Sequence, residues 1–105
     1  MNELPKTNQN VNLASVMYHR IEKQIDDFYN NLENNHQMLV VIDDTIVEYI
    51  AYNNPYLLIF TGKDFQGNLT QKLIHVNQLN MNLISMNSSN SEKPEKSIGF
   101  LGEIY

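Results

Sequence analysis

The chain has 105 residues, a formal net charge of −5 and no cysteine. This length predicts a single domain, and a hydrophobic content of 42% is enough to build a core. The absence of cysteine excludes disulfides, thiolate metal sites and a cysteine nucleophile. The acidic balance argues against nucleic acid as a partner, because its binding requires a basic face.

The amino terminus is polar and lacks the apolar segment of a secretory signal. No apolar run approaches the roughly 20 residues that a membrane-spanning helix needs. We therefore expect a cytoplasmic protein without a membrane partner.

Composition also predicts how the chain is divided. Residues 1–10 are polar and show no periodicity, so we expect a flexible arm followed by one domain over residues 11–105. Within that domain, residues 87–96 have the composition of a flexible loop. Residues 97–105 are apolar again and are expected to dock, either on an edge of their own sheet or on a neighbouring subunit.

The first predicted element is a long helix over about residues 12–34. Its apolar residues recur every three or four positions and form one stripe. They are Leu13, Met17, Ile21, Ile25, Phe28 and Leu32. Asn10 or Asn12 is the expected cap, and Asn34–Asn35 the expected end. Such a long helix fits either across its own sheet or with a partner's helix beside it, and we expect a homo-oligomer.

Four strands are predicted next, from runs rich in β-branched and aromatic residues. They cover residues 38–42, 45–52, 56–61 and 68–74. Their short connections predict an antiparallel meander. After them, Val76, Leu79, Leu83 and Met86 recur at spacings of three and four, which predicts a second helix over residues 76–87.

The expected fold class is therefore α+β. A long amino-terminal helix packs on a four- to five-stranded antiparallel sheet, and a shorter helix follows the fourth strand.

The titratable residues do not form a catalytic pattern. His19, His36 and His75 have none of the spacings that pair two histidines on a metal. The adjacent carboxylates Asp26–Asp27 diverge on a helix, and Asp43–Asp44 is typical of a turn. No nucleophile motif or dinucleotide fingerprint is present. We expect no enzyme, no metal and no cofactor, and we expect His75 to be a cap or turn residue.

Aromatic side chains cluster along the predicted strands. They are Tyr52, Tyr56, Phe60 and Phe65. Stacking of a base on such a ring is worth about 1–3 kcal/mol, and Lys63, Lys72 and Lys96 could supply charge to phosphates. The alternative is that the rings belong to the core and the lysines keep the sheet edge soluble.

Four short segments together span nearly the whole chain. They read Asn12-Leu13-Ala14-Ser15-x-Met17-Tyr18, Asn54-Pro55-x-Leu57-x-Ile59-Phe60-x-Gly62, His75-Val76-x-Gln78-Leu79 and Lys93-Pro94-x-x-x-Ile98-Gly99-Phe100. In these segments the chain resembles a family of small bacterial and phage proteins that forms a domain of unknown function. It is also similar to phage Thoeris anti-defence proteins of the sponge type.

The resemblance implies binding and sequestration, without cleavage, of a cyclic ADP-ribose isomer or a cyclic oligonucleotide made by host immune enzymes. It implies an oligomer built from dimers, with the ligand held at a subunit interface by an aromatic ring, an amide side chain and a carboxyl-proximal arginine. The corresponding residues here are Phe60 or Phe65, Asn80, and Lys96 with Ser97, which stand where relatives carry a basic residue. The alternative function is a protein-binding module or inhibitor that acts through its sheet edge and apolar carboxy-terminal tail.

Overall fold

The computed structural model describes residues 13–88 and 96–104. The elements are helix α1 (Ala14–Asn30), strands β1 (His36–Ile42), β2 (Thr45–Asn53), β3 (Leu57–Asp64) and β4 (Leu69–His75), the 3₁₀ turn η1 (Val76–Gln78), and strands β5 (Asn82–Asn87) and β6 (Gly99–Glu103). The predicted arm, the predicted caps at Asn10 and Asn12, and residues 89–95 of the predicted loop lie outside this part of the chain.

The strands form one sheet of six, in the spatial order β4-β3-β2-β1-β5, with β6 paired to β2. The meander β1 to β4 is antiparallel, as predicted. β1 and β2 pair only beside their shared turn, at residues 41–42 and 45–46. Farther along, β6 takes the place of β1 and runs parallel to β2, from the pair Tyr49–Gly99 to the pair Tyr52–Glu103.

The apolar tail therefore returns to its own sheet. The Ile104 N–H donates to the Tyr52 carbonyl at 2.8 Å, and the Asn53 side-chain amide donates to the Ile104 carbonyl. Of the two arrangements that the sequence left open for this tail, the chain uses the intramolecular one.

The prediction of a second helix over residues 76–87 is wrong. Val76–Gln78 makes a single 3₁₀ turn, and Asn82–Asn87 is strand β5, which pairs with β1 along its whole length. Asparagine, which occurs at four positions of the segment, is a weak helix former. Pairing with β1 supplies backbone hydrogen bonds that outweigh the helical spacing of the apolar residues. The sheet consequently has six strands instead of the expected four or five.

Helix α1 is shorter than predicted at both ends, and its start is set by the sheet. The turn between β2 and β3 caps it: the Ala14 N–H donates to the Pro55 carbonyl at 2.7 Å, and the Ser15 N–H donates to Asn54 Oδ1 at 3.2 Å. These bonds satisfy amide groups that a helix cannot pair internally. At the other end, the Asn31 side chain donates to the Asp27 carbonyl at 2.9 Å.

The core lies between α1 and the sheet. Its buried members include Ala14, Tyr18, Ile21 and Ile25 from the helix, and Val40, Ile50, Leu58 and Phe60 from the strands.

Tyr18 joins three parts of the fold. Its ring centroid lies 4.8 Å from that of Tyr52 and 5.9 Å from that of Phe100, and its Oη accepts a hydrogen bond from the Gly102 N–H at 2.9 Å. Burial raises the pKa of Tyr18 above 10.0, although the Gly102 hydrogen bond opposes the shift.

The change Tyr18→Phe tests this link between α1 and β6. It keeps the ring but removes the acceptor of the Gly102 N–H, so we expect a loss of about 1–2 kcal/mol in the free energy of unfolding. Urea denaturation measures it. The matched control is Tyr56→Phe, because Tyr56 is exposed, and a change within about 0.5 kcal/mol is expected there. Equal losses in the two variants would contradict the assignment.

The turn between β3 and β4 is held by one carboxylate. Asp64 Oδ1 accepts from the backbone N–H groups of Gln66 at 2.9 Å and Asn68 at 2.8 Å, and Oδ2 accepts from the Asn68 amide at 3.2 Å. These bonds, with that from the Asn68 backbone foremost, lower the pKa of Asp64 below 3.8.

This pKa makes the turn's contribution depend on pH. The folded carboxylate is more acidic than the unfolded one, so its stabilisation is present above pH 3.8 and is lost as the pH falls through the lower folded pKa. We expect Asp64→Asn to have a lower Tm than the parent protein at neutral pH, with the difference closing below pH 3.8. Thermal melts across this range measure it, and a difference that does not change with pH would refute the proposed role.

Candidate functional site

An apolar recess lies between α1 and the segment that crosses the sheet. The chain passes from β4 at one edge to β5 at the other, and the order of the strands requires it to cross β3, β2 and β1. Val76 is buried, and Leu79 and Met81 pack against the core, so the crossing runs on the same face as α1. The helix and the crossing segment do not fill the space between them, and a recess of about 240 Å³ remains.

The recess has apolar walls and two polar side chains. Met17, Ile21 and Ile25 of α1 form one wall, and Leu79, Met81 and Leu83 form the other. Arg20 and Gln24, one helical turn apart, supply the polar groups. Such a combination suits a flat apolar ligand that also carries an acceptor or a negative charge.

Arg20 is the single arginine of the chain. It is exposed, and within residues 13–88 and 96–104 no carboxylate pairs with it. By contrast, the neighbouring Lys23 pairs with Asp27 at 3.0 Å. Arg20 is therefore a cation available to a ligand at this recess.

A second, polar recess of about 400 Å³ adjoins the first, and Gln24 lines both. Its other polar lining residues include Asp27, Glu33, His36 and Ser85. We call the two together the helix–β5 groove. One end of the groove is apolar with a guanidinium, and the other end carries carboxylates, so an elongated ligand would meet opposite charges at its two ends.

Two of the predicted site residues are aromatic, and they have different surroundings. Phe60 is 0% exposed in the core, so its ring offers no face to a ligand in this chain. Phe65 is 67% exposed in the turn between β3 and β4, where its N–H donates to the Asp44 carbonyl at 3.0 Å.

The predicted amide and basic residues lie on opposite flanks of α1. Asn80 is exposed in the crossing segment, between two residues that line the apolar recess. The Lys96 ammonium pairs with Asp26 and lies 5.7 Å from the Phe100 ring centroid, and Ser97 beside it is exposed. Asp26 is two residues from Gln24, which places the two side chains about 160° apart around the helix. One chain thus puts Asn80 between two residues of the recess that Arg20 also lines, with Lys96 and Ser97 elsewhere.

Arg20 was not identified from the sequence as a candidate site residue. One signal was available. The residue is the only arginine, and it borders the apolar stripe one turn after Met17 and before Gln24. Its role depends on the crossing segment beside it, which periodicity alone did not place.

A third recess, of about 190 Å³, lies at the other end of the sheet beside stacked Tyr56 and His75 rings, whose centroids are 5.2 Å apart. Its Asn54 amide already contacts Ser15 and Glu103. His75 Nδ1 accepts from the Asn77 N–H at 3.1 Å and caps η1, so the expectation of a cap is confirmed. Among the described residues, no lysine or arginine lines this recess, which makes it a weaker site for an anionic ligand.

The described ranges contain no group of three His, Asp or Glu side chains arranged to hold a metal ion. Over the same two stretches of chain, no helix combines the length and apolarity needed to cross a membrane.

The sequence model of one family, described as "Family of unknown function (DUF6173)", matches residues 6–101. The match covers most of the chain, which therefore belongs to this family. No curated protein and no solved structure matches the chain significantly.

Proposed function

We propose that this member of a family of unknown function binds a cyclic adenine nucleotide in the helix–β5 groove and sequesters it unchanged. The observation that carries the proposal is an apolar recess lined by the chain's single arginine, which has no ion-pair partner in the described residues. The ligand class comes from the resemblance to anti-defence sponges, which hold cyclic ADP-ribose isomers or cyclic oligonucleotides. In a phage-infected cell, such a protein would lower the free signal in the cytoplasm and so counteract defence.

The recess suits one part of such a ligand. Sites for whole small molecules usually enclose about 300–1,000 Å³, so a recess of about 240 Å³ holds a base and leaves the rest to the adjoining polar recess. The flat faces of a purine ring carry no hydrogen-bonding groups. The ring would therefore pack against the apolar side chains of Met17, Leu79 and Met81. Asn80, between Leu79 and Met81 of this wall, would pair with the base edge.

The phosphates would lie at Arg20. A guanidinium donates two parallel hydrogen bonds to a phosphate, which a lysine ammonium cannot do. Asp27 and Glu33 at the far end would repel a phosphate but accept hydrogen bonds from ribose hydroxyl groups. The charges along the groove therefore favour one orientation of the nucleotide.

Sequestration requires tight binding and no reacting group on the protein. The groove's polar residues would bind the ligand by donating and accepting hydrogen bonds, and none of them would react with it. Bound ligand should consequently be recovered intact when the protein is denatured.

The direct test is calorimetric titration with a panel of cyclic ADP-ribose isomers and cyclic di- and trinucleotides. The variant is Arg20→Met, which keeps the length of the side chain and removes its charge. A lost charged hydrogen bond of about 1.5–3 kcal/mol predicts an affinity about 10- to 100-fold weaker. The matched control is Lys63→Met, since Lys63 is an exposed residue of β3 and is not in the lining of the groove. Its affinity should equal that of the parent protein.

Three results would overturn the proposal. The first is that no member of the panel binds. The second is equal binding by the parent protein and Arg20→Met. The third is chromatographic recovery of a cleaved nucleotide after incubation, which would make the protein an enzyme.

A further inference from the structure

The sheet has a second face, opposite to α1. Phe60 and Leu58 of β3 point towards the helix and are buried, so the alternate residues of β3 point away from it. On β3 and β4 the pairs on this far side are Ile59–Leu73, Thr61–Gln71 and Lys63–Leu69. β2 adds Tyr49, opposite Thr61, and Ala51, opposite Ile59. We call this surface the outer sheet face.

The large apolar side chains of this face are open to solvent. Leu69 is 77% exposed, Leu73 61% and Tyr49 47%. Leu101 of β6 is 54% exposed. It belongs to the same face, because it follows Phe100, whose ring contacts Tyr18 on the helix side. Isolated exposed leucines are ordinary in proteins, but several large exposed apolar side chains on one side of a sheet indicate a contact surface.

The exposed area fits a protein partner. With about 200 Å² for a large side chain, the value for an aromatic ring, and with 47–77% of each one exposed, these four residues present roughly 500 Å² of mainly apolar surface. A standard interface buries about 800 Å² on each partner, and in homodimers about 65% of it is apolar, which is again roughly 500 Å². The face therefore presents about as much apolar area as one half of a homodimer interface.

Charge indicates which partner fits. None of the outward positions named above on β2, β3 and β4 holds a carboxylate, although the chain carries a net charge of −5. The acidic residues of these strands are Glu48, at the bulge of β2, and Asp64, at the end of β3, and others such as Asp26 and Asp27 lie on α1. Two copies that meet through these positions bring no paired carboxylates against each other, and the acidic helices remain on the outside.

The pattern on the face is also self-complementary. Thr61 and Gln71, joined by a hydrogen bond of 3.3 Å, form a polar middle row between the row of Leu69 and the row of Leu73. A twofold axis through the middle row lays Leu69 of one copy against Leu73 of the other. Lys63, the one charged residue of these pairs, can extend its ammonium to the rim while its methylene groups stay in contact.

From this size, charge and symmetry we propose that a second copy of the chain docks on the outer sheet face, forming a twofold homodimer. The proposal goes beyond ligand binding and does not depend on it. The helix–β5 groove lies on the helix side of each sheet, so both copies keep it open to solvent.

Sedimentation velocity at micromolar concentration tests the proposal. The parent protein should sediment at twice the chain mass of 12.2 kDa. Leu69→Lys and Leu73→Lys each place a charge in the interface and should give the single-chain mass, with an unchanged far-ultraviolet circular dichroism spectrum. The matched control is Phe65→Lys, because Phe65 is exposed in the turn and lies off the face, and it should remain a dimer.

A parent protein of single-chain mass would overturn the proposal, whatever other protein the face then binds. Dimers that persist in both leucine variants would also overturn it, because another surface would hold them. Failure of nucleotide binding is separable from either result. Arg20→Met should stay dimeric, and a folded monomeric Leu73→Lys protein should keep the affinity of the parent protein for any nucleotide that binds.

Discussion

The structure depends on one constraint, which is that a helix of 17 residues must cover a sheet of six strands. The helix lies over β2 and β3, where Ile25, Ile50, Leu58 and Phe60 are fully or almost fully buried. The helix does not cover the strands outside this zone. On the helix side, the segment that crosses from β4 to β5 covers part of the remaining sheet and leaves the helix–β5 groove open. On the far side the described chain leaves the outer sheet face exposed. Both candidate functional surfaces are therefore present because the single helix is too small to cover the whole sheet.

The part of the fold that could be read from the sequence is the part made by local patterns. The β-branched and aromatic runs predicted strands β1 to β4, and the apolar stripe predicted α1, because neighbouring residues decide each of them. The ends of α1 could not be predicted, since its cap comes from Asn54 and Pro55 in the β2–β3 turn. The segment 76–87 was assigned to a helix because its leucines have helical spacing. Its actual state is set by pairing with β1, more than 40 residues earlier in the chain.

The candidate site shows the same division between local and distant information. Asn80 was singled out by the resemblance, and it does adjoin a recess. Arg20 was not singled out, because its position on the helix is unremarkable until Leu79 and Met81 pack beside it. Lys96 was expected near Asn80 but pairs with Asp26 on the opposite flank of α1. A motif can therefore identify residues of interest, whereas their grouping depends on how the chain crosses the sheet.

The most direct test is native mass spectrometry of the protein purified from cells that make cyclic nucleotide signals. It shows whether the helix–β5 groove holds a nucleotide and whether the outer sheet face holds a second copy of the chain. It reports the mass of the assembly and of any small molecule that it retains. The account predicts a species of two 12.2 kDa chains that carries additional mass equal to an intact cyclic nucleotide. A single chain without added mass, from cells in which the signal is shown to be present, would contradict it.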